Sequence, residues 1–281
     1  MVLFGQIIVG PPGSGKSTYC RAMKRLLTTI ERPVAVINLD PSNENLPEKP
    51  DVCISDLITA DDAMVTLGLG PNGALIYAME FLEANFDWLA NALKRLELQF
   101  GSKCYLLFDL PGQVELYTHH TAVRDVLRRL TKLKYRLTAI NLTDSHYCSD
   151  PPKFIAILLS ALSCMLHLEM PHINVLSKID LDDAFTAKYK KLSESLCRVV
   201  EDYSLVSFRL LNVTETSSLL SILYEADTAN GFVFGAEEAR TIQSMLGTAM
   251  SKNAVRDLWE QKADELYVDR NVVPDKSTSD S

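Results

Sequence analysis

A glycine-rich segment near the start of the chain has the residue types and spacing of a phosphate-binding loop. The pattern Gly-x4-Gly-Lys-Ser follows an apolar run and precedes a stretch with helical periodicity, which is the context that this motif requires. Glycines let backbone N–H groups approach phosphate oxygens, and the helix N-terminus adds favourable dipole charge. Lys16 is predicted to reach the β- and γ-phosphates, and Ser17 to offer its hydroxyl to Mg²⁺. The predicted phosphate-binding residues are Gly10, Pro11, Pro12, Gly13, Ser14, Gly15, Lys16, Ser17 and Thr18.

A second polar segment, Asp109 to Glu115, also follows an apolar run. An acid at the end of a buried strand matches the aspartate that supports Mg²⁺ in P-loop enzymes, so Asp109 is predicted to join Ser17 at the metal. Gly112 supplies an amide to sense a γ-phosphate, and Gln113 and Glu115 are close enough to orient an attacking water. Taken alone, the segment is also compatible with an ordinary turn that caps a helix.

Asp40 lies at the end of the apolar run Val34–Leu39 and is followed by Pro41. A carboxylate at this position is suited to bind the water shell of a metal or to polarise the nucleophile. Asp40 is therefore a candidate catalytic residue, with a simple Asp-Pro turn as the alternative.

Ser177-Lys178-Ile179-Asp180 is the candidate for recognition of the base. The Asp180 carboxylate can accept two hydrogen bonds from guanine N1 and N2, and adenine has no matching donors. The stem of Lys178 is predicted to lie along the face of the base, and Ser177 replaces the more common asparagine at the first position. The alternative is a loop that merely contains lysine and aspartate.

The elements that must position these residues alternate along the chain. Near-continuous apolar runs predict strands covered on both faces, and they are separated by stretches with apolar residues at three- and four-residue steps. The predicted strands are Gln6–Val9, Val34–Leu39, Tyr105–Phe108, Leu137–Leu142 and Ile173–Leu176, and the predicted helices are Lys16–Ile30, Thr118–Lys134 and Pro152–Leu168. This alternation predicts an α/β fold with a doubly wound, mostly parallel sheet, in which ligands bind at the carboxyl ends of the strands.

Two segments depart from the alternation. Residues 59–98 contain no strand candidate and are predicted to form a helical insertion that is broken at Gly68–Gly73. Glu237–Arg270 has a helical pattern and is predicted to form a C-terminal helical tail. Residues 1–270 are therefore predicted to form a single domain, and residues 271–281 a disordered end.

Composition narrows the class of protein. The 281 residues carry a formal net charge of −8 and contain no dense basic run, which argues against direct nucleic-acid binding. The six cysteines lack the close pairs of a zinc site. The most apolar stretch, Phe154–Leu168, is shorter than the roughly 20 residues of a membrane span, and the glycine-rich loop begins too near Met1 to leave room for a signal peptide. These features predict a cytoplasmic or nucleocytoplasmic protein without a membrane segment.

Taken in order, the motifs resemble those of the GPN-loop GTPases. Gly70-Pro71-Asn72, between Asp40 and Asp109, matches the tripeptide that names that family. The similarity runs from about Phe4 to Phe234, and Asp144–Cys148 with Ser177 most resembles the second of three eukaryotic paralogues. The sequence departs from the family at Leu181–Arg198, which is shorter than the helical insertion usual there.

The resemblance implies a P-loop GTPase that binds GTP or GDP with Mg²⁺ and works as a homodimer or as a heterodimer with another GPN-loop GTPase. It places Asn72 near the γ-phosphate bound by the partner subunit, with Gly70 and Pro71 forming the turn that presents it. Asp40, Gln113 and Glu115 would position the attacking water. The implied process is the assembly and nuclear import of RNA polymerases, with polymerase subunits or assembly factors as clients.

Two alternatives remain at this stage. A nucleotide or nucleoside kinase would use a similar loop together with an arginine-rich lid, and the local arginine cluster Arg124, Arg128 and Arg129 has the helical spacing of a solvated face. A nucleotide-gated scaffold would use slow hydrolysis only as a timer.

Overall fold

The computed structural model describes residues 2–43, 48–101, 103–149, 151–179 and 206–232, which belong to one compact unit, Met1–Val233. Asp180, the segment Leu181–Arg198, the predicted helical tail Glu237–Arg270 and residues 271–281 lie outside the described residues. Among the described helices, none is both long enough and apolar enough to cross a membrane.

A seven-stranded sheet forms the centre of the fold, with the strands in the order β3-β2-β4-β1-β5-β6-β7 and every pairing parallel. The strands are β1 (Leu3–Val9), β2 (Val34–Asn38), β3 (Val52–Cys53), β4 (Tyr105–Asp109), β5 (Tyr135–Asp144), β6 (His172–Ser177) and β7 (Phe208–Leu210). The predicted α/β class with a doubly wound parallel sheet is confirmed. Strand β1 lies between β4 and β5, where the strand order reverses, so the loop after β1 opens into the crevice where such sheets bind ligands.

Eight α-helices are present in the described part of the chain. They are α1 (Lys16–Thr29), α2 (Ala60–Leu67), α3 (Pro71–Ala84), α4 (Phe86–Phe100), α5 (Glu115–Thr118), α6 (Thr121–Lys132), α7 (Pro151–Leu168) and α8 (Thr216–Asn230). Short 3-10 helices at Ile54–Asp56 and Ser145–Ser149 complete the regular structure of these residues.

Local sequence explains how these helices begin and which face they bury. The Thr59 hydroxyl caps α2 by accepting a hydrogen bond from the Asp62 amide, and Gly68 ends that helix in the left-handed conformation. Pro71 occupies the first turn of α3, where no intrahelical partner is needed for an amide. Helix α6 buries a stripe spaced by three and four residues, namely Ala122, Val123, Val126, Leu127 and Leu130.

The elements predicted within the described residues are present with three differences. The insertion predicted at residues 59–98 forms α2, α3 and α4, with a second break at Asn85. The single helix predicted over Thr118–Lys134 is wrong, because His120 has an extended backbone and separates α5 from α6. The short edge strands β3 and β7 have no counterpart among the predicted strands.

Candidate nucleotide-binding site

The glycine-rich loop joins the end of β1 to the first turn of α1. At Gly10, φ is 141°, and a Cβ atom would lie 2.2 Å from the carbonyl oxygen of Leu142, so only glycine fits there. Gly15 precedes α1 with φ of 91° and supplies no side-chain cap. The first backbone N–H groups of α1 therefore remain available to an anion, as a phosphate-binding loop requires.

Lys16 is held above this loop by the loop's own backbone. Its buried Nζ donates hydrogen bonds to the carbonyl oxygens of Gly10 (3.1 Å) and Pro11 (3.2 Å). Burial lowers the pKa of Lys16, while the nearby carboxylates of Asp109 and Asp40 act in the opposite direction. The ammonium group thus contacts the phosphate-binding loop close to two acids, and it is placed to bind an anionic ligand of that loop.

Ser17 and Asp109 meet at the ends of α1 and β4. The Ser17 hydroxyl donates a 2.7 Å hydrogen bond to Oδ2 of Asp109, while Oδ1 of this buried carboxylate has no partner among the described residues. Burial raises the pKa of Asp109 to about 6, although the Ser17 hydroxyl and the Lys16 ammonium lower it. A hydroxyl and a carboxylate with an unsatisfied oxygen are hard oxygen donors, which fit Mg²⁺. The two residues predicted to support the metal are therefore adjacent.

The segment after Asp109 packs directly on the phosphate-binding loop. A Cβ atom at Gly112 would lie 3.0 Å from Pro12 Cα and 3.0 Å from Lys16 Nζ, so the backbone here touches the loop. The buried Tyr117 hydroxyl donates a hydrogen bond to the carbonyl of Pro111 in this turn. Gln113 has a buried Oε1 without a partner among the described residues, whereas Glu115 is exposed at the first position of α5.

The loop after β2 contains Asp40 in a network of short polar contacts. Asn38 Oδ1 accepts from the Asp40 amide at 3.1 Å, and Asp40 Oδ1 accepts from the Ser42 amide at 2.9 Å. The Asn43 side chain reaches across to Ser17. Sequence reasoning did not identify Asn43 as a site residue, because its only signal is its place in the polar run after Asp40.

The segment after β6 is tied to the phosphate-binding loop. The buried Ser177 hydroxyl lies 2.8 Å from the carbonyl oxygen of Ser14 and 3.1 Å from that of Thr143, and can donate to either. Lys178 has φ of 63°, and its Nζ donates to Asp144 Oδ2 at 2.7 Å. Burial alone would raise the pKa of Asp144, but the hydrogen bonds from Lys178 and from the His146 amide outweigh it and lower that pKa.

Gly70, Pro71 and Asn72 form the exposed first turn of α3. Gly70 precedes the helix in an extended conformation, and the Asn72 side chain makes no hydrogen bond within the described part of the chain. The turn predicted at this tripeptide is present, but Asn72 does not join the cluster formed by Lys16 and Asp109.

The arginines of α6 are engaged in surface ion pairs. Arg128 lies 2.8 Å from the Glu169 carboxylate, and Arg129 lies 3.8 Å from that of Glu83 and stacks over the Phe86 ring. Both side chains are about half exposed. This arrangement fits the predicted solvated face rather than a lid over two phosphate chains.

Comparison with known proteins agrees with this site. Residues 8–232 match a family model described as a conserved hypothetical ATP-binding protein. The chain is 48% identical to GPN-loop GTPase 2 of Danio rerio, over 88% of this chain and 87% of the relative. It is 43% identical to GPN-loop GTPase QQT1 of Arabidopsis thaliana, over 86% and 90% of the two chains, and 39% identical to GPN-loop GTPase 2 of Saccharomyces cerevisiae, over 84% and 76%.

A solved structure supports the fold independently. The apo form of a GTPase from Pyrococcus abyssi matches with a TM-score of 0.62 and 23% identity, covering 79% of this chain and 97% of that chain. The relatives' names also agree with the predicted similarity to the second paralogue. The chain belongs to the GPN-loop GTPase family.

Proposed function

We propose that this chain binds GTP with Mg²⁺ and hydrolyses it slowly to GDP and phosphate. The observation that carries the proposal is the convergence of Lys16, Ser17, Asp109 and Gly112 at the carboxyl ends of β1 and β4. Phosphoryl transfer asks mainly for positioned charge, and this cluster supplies a cation, an oxygen-donor pair and free helix amides. Membership of a family of GTPases supports the same reaction.

Each group in the cluster has a distinct task in this reaction. Lys16 exchanges its carbonyl partners for phosphate oxygens and stabilises the charge that develops on them. Ser17 and Asp109 would hold Mg²⁺, which would supply positive charge to neutralise the phosphates. The Gly112 amide would contact the γ-phosphate, and Asp40, Gln113 and Glu115 would position the attacking water. A chain without a positioned arginine in this set is expected to turn over slowly.

Guanine is the proposed base, although the matching family model is described as ATP-binding. The proposal depends on Asp180, which lies outside the described residues, and on Lys178 at the end of β6. A carboxylate distinguishes guanine from adenine through two donors that adenine lacks. Displacement of a fluorescent GDP by GTP but not by equimolar ATP is the expected result, and equal displacement would exclude this choice.

We further propose that the chain acts as a dimer with a second copy or with another GPN-loop GTPase. Asn72 lies in an exposed turn and has no hydrogen-bond partner in the described residues, and the nearby α2 side chains Val65 and Leu67 are 86% and 46% exposed. Apolar side chains beside an unpartnered polar one suit a surface that a partner subunit covers. Sedimentation with a GTP analogue and with GDP tests this, and a monomer under every condition would contradict it.

The cellular role that we propose is nucleotide-driven assembly and nuclear import of RNA polymerases. It is supported by the family resemblance, and it calls for a cytoplasmic protein that shuttles to the nucleus and has polymerase subunits or assembly factors as clients. Depletion of the chain should leave polymerase subunits in the cytoplasm. Normal nuclear levels of these subunits after depletion would contradict this cellular role. They would not bear on the proposed hydrolysis of GTP.

The reaction itself is tested with Lys16→Ala. We expect this variant to lose most GTP binding and at least about 100-fold of the hydrolysis rate, because one preorganised donor is worth about 3 kcal/mol or more in such sites. Lys132→Ala, at the exposed end of α6, is the matched control and should behave like the unmodified protein. Normal binding and hydrolysis by Lys16→Ala would overturn the proposal. Release of free phosphate from labelled GTP, without a labelled acceptor, separates hydrolysis from kinase activity.

A further inference from the structure

Asn43 joins the loop after β2 to the residue predicted to hold the metal. Its Nδ2 lies 2.9 Å from Ser17 Oγ, and Ser17 Oγ in turn lies 2.7 Å from Asp109 Oδ2. The three side chains form a continuous chain from one loop, through the first turn of α1, to the end of β4.

Counting donors and acceptors fixes the direction of both hydrogen bonds. A serine hydroxyl has one proton and two acceptor lone pairs. The side-chain nitrogen of Asn43 can only donate, so Ser17 Oγ accepts from it and directs its own proton to Asp109 Oδ2. One lone pair of Ser17 Oγ then remains, and its direction is fixed by the other two bonds.

We propose that Asn43 is a positioning residue that orients the Ser17 hydroxyl so that this remaining lone pair faces the Mg²⁺ site. The inference rests on the proposed function, since it concerns the metal that accompanies GTP. Side chains that orient a metal ligand commonly change metal affinity by roughly 10–100-fold when they are removed. Asn43 therefore belongs to the nucleotide site, although it need not touch the nucleotide.

The same residue links the metal site to the loop that carries Asp40. The backbone amide of Asn43 donates to the backbone carbonyl of Asp40 at 3.2 Å. The side-chain Nδ2 of Asn38 donates to the backbone carbonyl of Asn43 at 3.3 Å. Asn38 also receives the Asp40 amide on its other side-chain atom. These bonds connect the Ser17 hydroxyl to the backbone that holds the Asp40 carboxylate.

The test compares Mg²⁺ dependence with nucleotide affinity. Fluorescent GDP is titrated into the full chain in EDTA and at increasing Mg²⁺ concentrations, with Asn43→Ala and the similarly sized Asn43→Leu beside the unmodified protein. We expect affinity in EDTA to stay within about twofold, and the Mg²⁺ concentration for half-maximal tightening to rise about 10-fold. The Mg²⁺ dependence of GTP hydrolysis should shift by a similar factor. The matched control is Asn85→Ala, which removes an amide that donates to a backbone carbonyl at the end of α3.

The possible outcomes separate the inference from the proposed function. If the GDP affinity of the unmodified protein does not respond to Mg²⁺, the proposed function itself is contradicted. A normal response in the unmodified protein, with Asn43→Ala and Asn43→Leu matching Asn85→Ala, would overturn the role of Asn43 alone. A loss of affinity in EDTA equal to the loss in Mg²⁺ would also overturn it, because that pattern indicates a general disturbance of the loop.

Discussion

At the level of single residues, the charged groups of the site are held by polar partners before any nucleotide arrives. Lys16 is fixed by two loop carbonyls, Asp109 by the Ser17 hydroxyl, and Asp40 by the amide of Ser42. Such fixed groups need little reorganisation when a charged transition state forms, which is the main advantage of a preorganised site. Gly10 is required for a different reason, since a side chain there would displace the carbonyl of Leu142.

His172 is a half-buried titratable residue at the first position of β6, and both nitrogens of its ring are enclosed. Burial lowers its pKa to about 4, although the neighbouring Asn174 side chain acts in the opposite direction. An unfolded histidine titrates near 6.5, so the unfolded chain binds a proton that the folded chain excludes between about pH 6.5 and 4. Stability contributed by the neutral ring is therefore complete above pH 6.5 and is lost as the pH falls towards 4.

The prediction is that His172→Phe makes unfolding less sensitive to acid. Between pH 7.5 and pH 5, the unmodified protein should lose about 2 kcal/mol more of its free energy of unfolding than the variant does. Chemical denaturation at the two pH values measures this difference. His119→Gln, at an exposed position, is the control and should decline like the unmodified protein. Equal declines in all three proteins would show that His172 does not titrate across this range.

At the level of elements, β6 and the phosphate-binding loop are connected by one buried side chain. Ser177 is 3% exposed, and its hydroxyl is shared between the carbonyls of Ser14 and Thr143. The segment proposed to recognise the base begins at this residue, so the same contact connects that segment to the phosphate-binding loop. The serine that stands here in place of the more common asparagine reaches the loop through its hydroxyl.

Ser177→Ala is expected to weaken GTP and GDP binding by about fivefold, because the loop loses a hydrogen bond worth about 1 kcal/mol. Thr138→Val is the matched control, since the buried Thr138 hydroxyl donates to the Ala226 carbonyl and ties β5 to α8 instead. Both variants should lose a similar amount of thermal stability, but only Ser177→Ala should lose nucleotide affinity in calorimetric titration. Equal affinities in the two variants would show that Ser177 serves the sheet and not the site.

The central strands could be predicted from the sequence, whereas the edge strands could not. Long buried strands such as β1 and β4 have a local signal, because side chains covered on both faces must be apolar. The edge strands β3 and β7 have only two and three residues, and these are defined by pairing with a neighbour rather than by composition. The cluster around Lys16 followed from motif spacing, since the carboxyl ends of parallel strands meet at one edge.

Contacts that depend on distant residues could not be predicted in this way. Asn43 and Ser17 are 26 positions apart, and Ser177 and Ser14 are 163 apart. The buried ion pair between Arg32 and Asp227 spans 195 positions and ties the turn after α1 to α8. Periodicity and turn chemistry describe neighbours along the chain, whereas these partners are set by how the whole sheet and its helices pack.

At the level of the whole molecule, the position of Asn72 makes a prediction about two copies of the chain. Asn72 is exposed on the first turn of α3 and lacks a hydrogen-bond partner within the described residues, whereas Lys16 is buried in the nucleotide site. If Asn72 serves the site of the partner subunit, a site needs Lys16 from one copy and Asn72 from the other. Lys16→Ala and Asn72→Ala homodimers should then both be poor GTPases, each for a different reason.

Mixing the two variants is expected to restore activity. Random exchange makes half of the dimers mixed, and each mixed dimer has one site with both Lys16 and Asn72, so about a quarter of the unmodified rate should return. Differently tagged copies that co-purify would show that mixed dimers have formed. The pair Lys16→Ala with Gly112→Ala is the control, because Gly112 packs on Lys16 of its own chain and the mixture should stay inactive. If mixed dimers of Lys16→Ala and Asn72→Ala form but do not recover hydrolysis, the role of Asn72 across the interface is excluded. In each such dimer one site has an intact Lys16 and faces a partner with an intact Asn72, so that site should be active if Asn72 acts across the interface.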